Sequence, residues 1–339
     1  MGSLSIVTNA AVTRALVGRE EDVLDRVRTT YLRHADGRTV NPDSYFLRFP
    51  DKPDSRIIAL PAFLDGEHAV AGIKWIASFP ANVSQGRQRA SALLVLNDYD
   101  TGYPVAVLES AVISAARTAA SAALAVRVLA KREPSTVGVI GAGYIARTVC
   151  GYLDATGAPL RQAICHDTDE RSAEALVRHL NGSGHGGRAE PGSLDQALDA
   201  DLVVFATTAL APYVPATHVF RADQLVLNLS LRDLAPEIVL RANNVVDDVE
   251  HCLKAGTTPH LAEELHGSRD FVNGTLAEVI LGQTELDPSR PIVFSPFGLG
   301  VLDLAVGQQV LAWAVAAGQA LDIPDFFGDQ IRWHPDDAA

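Results

Sequence analysis

From residue 135 onward, short apolar runs alternate with longer segments of helical period. The runs lie at residues 137–140, 162–166, 201–206, 225–229, 244–248 and 291–295. Alternation of this kind predicts an open parallel sheet with helices on both faces. Ser193-Leu194-Asp195-Gln196 reads as a capping box that opens a short helix before the third run. The first 115 or so residues follow another pattern. A helical period covers 23–34, and strands are predicted at 44–49, 56–60 and 70–78. Two further strands, 92–96 and 105–108, flank a turn rich in Asn, Asp and Gly at 97–102, the signature of a hairpin. Ser110 then caps a long helix rich in Ala and Leu over 111–131. A last long helix covers 300–321, and residues 333–339 read as a frayed tail. The fold class is therefore α/β: a Rossmann-type open, mostly parallel sheet domain beside an α+β unit.

The first strand of the alternating half leads into a glycine turn, TVGVIGAGYIARTV at 136–149. Strand, tight turn and helix start bring backbone N–H groups and a partial positive charge to one point, which suits a dinucleotide pyrophosphate. Gly141 permits the sharp turn, Gly143 leaves room for phosphates, and Ala146 lets the helix pack closely. The next strand ends in Asp167, somewhat further along than the usual separation of about 20 residues. An acid there accepts hydrogen bonds from an adenosine ribose and repels a 2′-phosphate. Two unit charges about 4 Å apart cost about 4 kcal/mol at an effective dielectric near 20. The reading favours NAD over NADP, with His166 and Arg171 softening the preference. The alternative is a glycine turn without a ligand.

Length and composition narrow the function further. The chain has 339 residues, 47% of them apolar, enough for two domains with a large core. No apolar run approaches the roughly 20 residues that cross a bilayer, and no secretory signal is legible. Cys150, Cys165 and Cys252 are scattered without pairing or metal-ligand spacing and read as reduced core thiols, so the expected location is cytoplasmic. A net charge of −13 argues against nucleic acid and anionic membranes as partners, yet leaves room for a local basic pocket.

The chemistry must come from the strand ends. Thr207 and Thr208 follow one strand, Arg232 and Asp233 another, and a Pro-Phe-Gly turn containing Phe297 a third. Asp233 is the candidate for proton transfer, since desolvation at the end of a buried strand raises a carboxyl pKa toward a useful range, an effect Arg232 would oppose. Its alternative role is N-cap of a helix near Ala235. Arg48, Lys74, Arg89 and Arg117 lie within apolar segments, where cations are rare without an anionic partner. A carboxylate ligand would satisfy them; so would structural pairs with Asp43, Glu109 or Asp98. His179, His185, His251, His260 and His266 lack metal-site spacing and read as solvated or capping, and no metal is expected. Asp247-Asp248, Glu263-Glu264 and Asp287 read as solvated faces.

SAARTAASAALAVRVLA, then VGVIGAGYIA, then a strand ending in Asp, resemble the ornithine cyclodeaminase/μ-crystallin family, over about residues 40–322. PDSYFLRFP, RIIALPA, AGIKWIASFP, RASALLVLNDYDTGYP and LSLRDLAPE are similar to one branch of it. That branch comprises dehydrogenases of 2,3-diaminopropionate biosynthesis, which serve siderophore and peptide-antibiotic pathways. The resemblance implies a substrate-binding and dimerisation domain of residues 1–120 plus 305–339, an NAD-binding domain of 121–304, and a homodimer. It places the substrate lysine on Lys74, a substrate- and cofactor-facing arginine on Arg117, the acid/base aspartate on Asp233 and the ribose acid on Asp167. Cofactor contacts fall on Gly141, Gly143, Tyr144, Ile145, Thr207, Ser230, Leu231 and Phe297. The first substrate arginine has two competing counterparts, Arg48 and Ser44. Cyclodeaminases carry Gly-Gly before the aspartate and a lysine four positions after it, where this chain has Leu231-Arg232 and Glu237. A cofactor-touching threonine becomes Arg89, and a serine near the nicotinamide becomes Pro296. The added charge suits a small polyanionic amino acid. The implied activity is NAD-dependent oxidative hydrolysis of N-(2-amino-2-carboxyethyl)-L-glutamate, with Arg48, Lys74, Arg89, Arg117 and Arg232 as its carboxylate partners. Other reactions of the family (ornithine cyclodeamination, alanine dehydrogenation, ketimine reduction) and a μ-crystallin-like binding protein are the alternatives.

Overall fold

The computed structural model describes residues 3–158, 160–183 and 187–328; His185 and the tail at 333–339 lie outside these. The chain divides into two compact units. One takes the chain up to Val17, Arg38–Ile113 and the chain from Asp303 onward; the other takes Gly18–Gly37 and Ser114–Leu302.

The second unit holds an 8-stranded parallel sheet in the order Arg188–Pro191, Gln162–His166, Thr136–Ile140, Leu202–Phe205, Leu225–Asn228, Ile292–Ser295, Asn243–Val246, Val272–Thr275. Leu202–Phe205, Leu225–Asn228 and Ile292–Ser295 are buried along their whole length, as apolar runs without alternation require, and Asn243–Val246 is buried too, with both asparagine side chains donating to backbone carbonyls. Phe205, Val226 and Val293 share a core cluster with Val214, Leu234 and Ile238. The strand order reverses at Thr136–Ile140, which has Gln162–His166 on one side and Leu202–Phe205 on the other. Open α/β sheets bind their ligands outside the carboxyl ends at such a point. The sequence reading did not include Arg188–Pro191 and Val272–Thr275. Both are edge strands, only partly buried, and carry no apolar run.

Asp201 ties two central strands together at their other end. Its carboxylate accepts from the Ser135 N–H at 2.9 Å, the Ser135 hydroxyl at 2.5 Å and the Arg132 guanidinium at 2.6 Å. Burial raises the pKa of this carboxyl, but the Ser135 and Arg132 bonds outweigh it and hold it at about 2. A folded-state pKa below the unfolded one contributes stability that is present above about pH 4 and lost as pH falls toward 2. Asp201→Asn is expected to lower the thermal midpoint at neutral pH and to flatten its decline between roughly pH 4 and pH 2.

Helix Glu20–Ala35 belongs to the second unit, whereas the sequence reading placed residues 1–120 in one domain. Its apolar face explains the assignment: Val23, Leu24, Val27 and Tyr31 are buried, and Tyr31 Oη shares a 2.7 Å hydrogen bond with Ser121 Oγ. Helix Ala111–Leu129, at 19 residues, is long and apolar enough to cross a membrane by length and composition, which corrects the expectation that no apolar run approaches that length. Small side chains account for the length: Ala115, Ala119, Ala120, Ala122 and Ala123 are buried in the protein, and Arg117 interrupts them.

The first unit holds an 8-stranded mixed sheet. Its order is Leu321–Ile323, Leu4–Val7, Pro104–Glu109, Ala90–Asp98, Val70–Ser78, Lys52–Leu64, Thr39–Val40, with Tyr45–Phe49 also paired to Lys52–Leu64. Leu4–Val7 runs parallel to Pro104–Glu109 and the other pairings are antiparallel. Lys52–Leu64 is longer than predicted, because the ladder with Val70–Ser78 runs from Arg56 to Leu64 and so continues through Pro61.

Candidate functional site

The glycine turn of the second unit has the geometry its sequence predicts. Gly141 has φ +89°, and a Cβ there would lie 2.5 Å from the Ala206 carbonyl oxygen. Its N–H donates to the His166 carbonyl at 2.8 Å. Gly143 is extended and N-caps helix Tyr144–Ala155 with no side-chain capping bond, and a Cβ on it would meet nothing within 4 Å. The open cradle and the uncapped N–H groups of the helix fit a pyrophosphate. Asp167 accepts from the Ala142 N–H at 2.7 Å and the Asp169 N–H at 2.9 Å. Each carboxylate oxygen has two lone pairs, so these bonds fix the carboxylate and leave acceptor capacity for ribose hydroxyls. Tyr144 lies under the Arg147 guanidinium, 5.0 Å from its ring centre, with Ile145 half-buried beside it in the helix.

Asp233 is fully buried. The Thr207 hydroxyl donates to one carboxylate oxygen and the Ser230 hydroxyl to the other, the latter at 2.5 Å. Tyr213 hydrogen-bonds to the same carboxylate, and burial followed by the Asp233 charge pushes its phenol pKa up. The N-cap alternative for Asp233 does not hold, since helix Pro236–Val239 is N-capped by Ala235. The Asp233 carbonyl instead accepts from Tyr213 N–H and Val214 N–H, both at 3.0 Å, which ties the loop after Leu202–Phe205 to the loop after Leu225–Asn228. Arg232 donates to the Ala255 carbonyl at 3.0 Å. Tyr213 lies in a loop without periodicity, and no sequence signal singled it out.

A second buried carboxylate organises the Pro-Phe-Gly turn. Asp247 accepts from Phe297 N–H at 2.9 Å, Gly298 N–H at 2.7 Å and the Cys252 thiol at 3.1 Å. Arg117 packs against that turn: Gly298 has φ +94°, and a Cβ there would lie 2.6 Å from Arg117 Nη1. Arg117 is 9% exposed and donates to Ser114 Oγ at 3.3 Å. The expectation that Asp247-Asp248 form a solvated face is corrected. Asp247 is buried, while Asp248 caps helix Val249–Cys252 and binds His34 and His251, each at 2.9 Å. Burial acts to raise the Asp248 pKa, but the His251 and His34 bonds outweigh it and hold the carboxyl well below the usual range. His251 is accordingly buried and paired, not solvated. Burial, then Asp247, pushes the Cys252 thiol far up, consistent with a neutral core thiol.

In the first unit, Lys74 is 2% exposed and donates to the fully buried Asp303 at 2.6 Å. Of the acids expected to pair with the four cations Arg48, Lys74, Arg89 and Arg117, Glu109 caps Ala111 N–H at 2.8 Å and Asp98 holds the Thr101 turn. The actual partner of Lys74 stands 229 positions away, in the first turn of helix Gly300–Ala316. Arg89 donates to Ser78 Oγ at 2.6 Å, and burial lowers its pKa. Arg48 is exposed, with its guanidinium 5.2 Å from the Phe46 ring centre.

The model of the ornithine cyclodeaminase/mu-crystallin family matches residues 6–317. The chain belongs to that family. It is similar to N-((2S)-2-amino-2-carboxyethyl)-L-glutamate dehydrogenase of Staphylococcus aureus, with 28% identity over 83% of this chain and 87% of that one. It is similar in the same degree to alanine dehydrogenase of Archaeoglobus fulgidus, with 28% identity over 86% and 89%. Among solved structures, an archaeal alanine dehydrogenase dimer with bound NAD superposes with a TM-score of 0.86 at 26% identity, covering 96% of this chain and 100% of that one.

Against that family background one backbone feature stands out. Leu231, where cyclodeaminases are expected to carry glycine, has φ +80°. A branched side chain in the left-handed region costs about 1–2 kcal/mol. Leu231→Gly is expected to raise stability by about 0.5–1 kcal/mol after the entropy cost of glycine, read from thermal denaturation.

Proposed function

We propose that this family member is a cytoplasmic dehydrogenase that converts N-(2-amino-2-carboxyethyl)-L-glutamate and water to 2,3-diaminopropionate and 2-oxoglutarate, with formation of NADH. It is an oxidoreductase that acts on an amino-acid carbon–nitrogen bond, with NAD as cofactor. Asp233 carries this reading: a buried carboxylate whose two oxygens are held by two hydroxyls, at the ligand-binding end of a parallel sheet. The substrate class is supported by the cations Arg48, Arg89, Arg117 and Arg232 in addition to Lys74, whose charge Asp303 already matches, and by the likeness to the Staphylococcus aureus enzyme.

The chemistry NAD supplies when bound is acceptance of a hydride from the glutamate Cα, which leaves an imine. Asp233 takes the proton from the secondary amine, so that the nitrogen lone pair assists hydride departure. Ser230 and Thr207 hold the carboxylate in register for that transfer. Lys74 binds a carboxylate and orients the water that adds to the imine. Asp233 returns a proton to nitrogen as the carbinolamine C–N bond breaks. Arg117 and Arg48 bind further carboxylates, supplemented by Arg89 and Arg232. Gly141 and Gly143 receive the pyrophosphate and Asp167 the ribose, and Tyr144, Ile145, Thr207, Ser230, Leu231 and Phe297 border the cofactor.

Incubation with NAD and the aminocarboxyethyl-glutamate is expected to release 2-oxoglutarate and NADH in equal amounts, measured by mass spectrometry and absorbance. NADH formation with alanine alone would replace the reading by alanine dehydrogenation. Proline from ornithine without net NADH would replace it by cyclodeamination. NADH binding without turnover of any amino acid would leave a binding protein.

A homodimer is part of this reading, and the sheet of the first unit supports it. Tyr45, Ala59, Trp75 and Leu93 are register partners and so point to one face, where Tyr45, Trp75 and Leu93 are exposed. An apolar row of this kind fits a second copy of the chain. Trp75→Lys is expected to shift a dimeric elution volume to that of a monomer.

A further inference from the structure

One residue outside the set just assigned shares a sheet face with Lys74. Residues opposite one another on paired strands, and residues two or four apart on one strand, point to the same face. The register sets Arg48 opposite Arg56, Arg56 opposite Ser78 and Leu60 opposite Lys74. Arg48, Arg56, Ser78 and Lys74 therefore occupy one face. The stacking of Arg48 on Phe46, its neighbour two positions back, agrees with this. Arg89 reaches the same point by donating to Ser78 Oγ. Three guanidinium groups thus gather at one end of one face, in a chain of net charge −13. Lys74 lies four residues from Ser78, about 13 Å along the strand. An extended amino acid with carboxylates at both ends spans such a separation between long cationic side chains.

We propose that Arg56, together with Arg48 and Arg89, forms a subsite for a substrate carboxylate remote from the reacting carbon, while Lys74 serves the carboxylate beside it. This rests on the polycarboxylate reading above and deepens it: Arg56 selects for the additional carboxylate. Arginine suits the task because its planar fork meets a carboxylate with two parallel hydrogen bonds.

The test compares wild type, Arg56→Gln and Arg56→Lys with N-(2-amino-2-carboxyethyl)-L-glutamate as the probe. Turnover is followed as NADH, and binding to the NADH-loaded protein is followed by calorimetry. Arg56→Gln is expected to raise KM and the dissociation constant by at least about tenfold, with the effect falling on KM more than on kcat and partly recovered in Arg56→Lys. Two further probes carry an amide in place of one or the other carboxylate not attached to the reacting carbon. One of these amides should weaken binding to wild type and make little difference to Arg56→Gln, because the partner of that carboxylate is already gone. Thermal midpoint and NADH affinity establish that each variant is folded. Equal KM and equal binding in wild type and Arg56→Gln, or amide penalties identical in both, overturn the subsite alone. A wild type that neither binds nor turns over the unmodified probe overturns the functional reading and the subsite with it.

Discussion

Asp233→Asn is expected to lower kcat by about 10²–10⁴-fold while leaving NADH affinity intact. The substitution preserves shape and one acceptor oxygen but removes the group that takes a proton from the amine. Thr207 and Ser230 can each rotate their hydroxyls to accept from the new amide, so the loops they belong to keep their positions. NADH affinity, read by fluorescence titration, therefore serves as the internal control for kcat, read by absorbance. An unchanged kcat removes Asp233 from the mechanism, and a parallel loss of NADH binding shows that it holds the loops rather than moves a proton.

Asp303→Ala carries the largest expected loss of stability. It strands the Lys74 ammonium, 2% exposed, without the carboxylate that binds it at 2.6 Å. Breaking one side of a buried ion pair costs about 3–5 kcal/mol, whereas replacing both sides by apolar groups of similar volume is often neutral. Urea denaturation should therefore show a large loss for Asp303→Ala and recovery of most of it in the double variant Lys74→Met with Asp303→Leu. Turnover should not recover, because the double variant restores packing without a cation for the substrate. Recovery of both would mean that Lys74 serves the fold alone.

The parallel strands were legible because a strand buried on both faces reads as an uninterrupted apolar run. Their edges were not, since Arg188–Pro191 and Val272–Thr275 face solvent and lose that signal. The glycine turn and Asp233 were legible because each follows such a run. Asp247 follows one as well, after Val245 and Val246, yet Asp248 beside it and Glu250 beyond it make the segment read as polar surface. Asp303 was obscured differently. It is a lone acid in an apolar helix, the mirror of the signal that drew attention to Arg117, but its partner is 229 positions distant and emerges only when the sheet forms. Arg56 required strand register, which places it opposite Arg48 and Ser78 and is not written in spacing along the chain.

The bonds from Asp247 to the backbone of Phe297 and Gly298 have a bearing on how the protein could be re-engineered. The shape of that turn is imposed from a neighbouring strand rather than encoded by its own side chains. Libraries that randomise Pro296 and Phe297 should retain a correctly formed loop while altering what it presents. A loop grafted from a homologue will need its anchoring acid moved along with it.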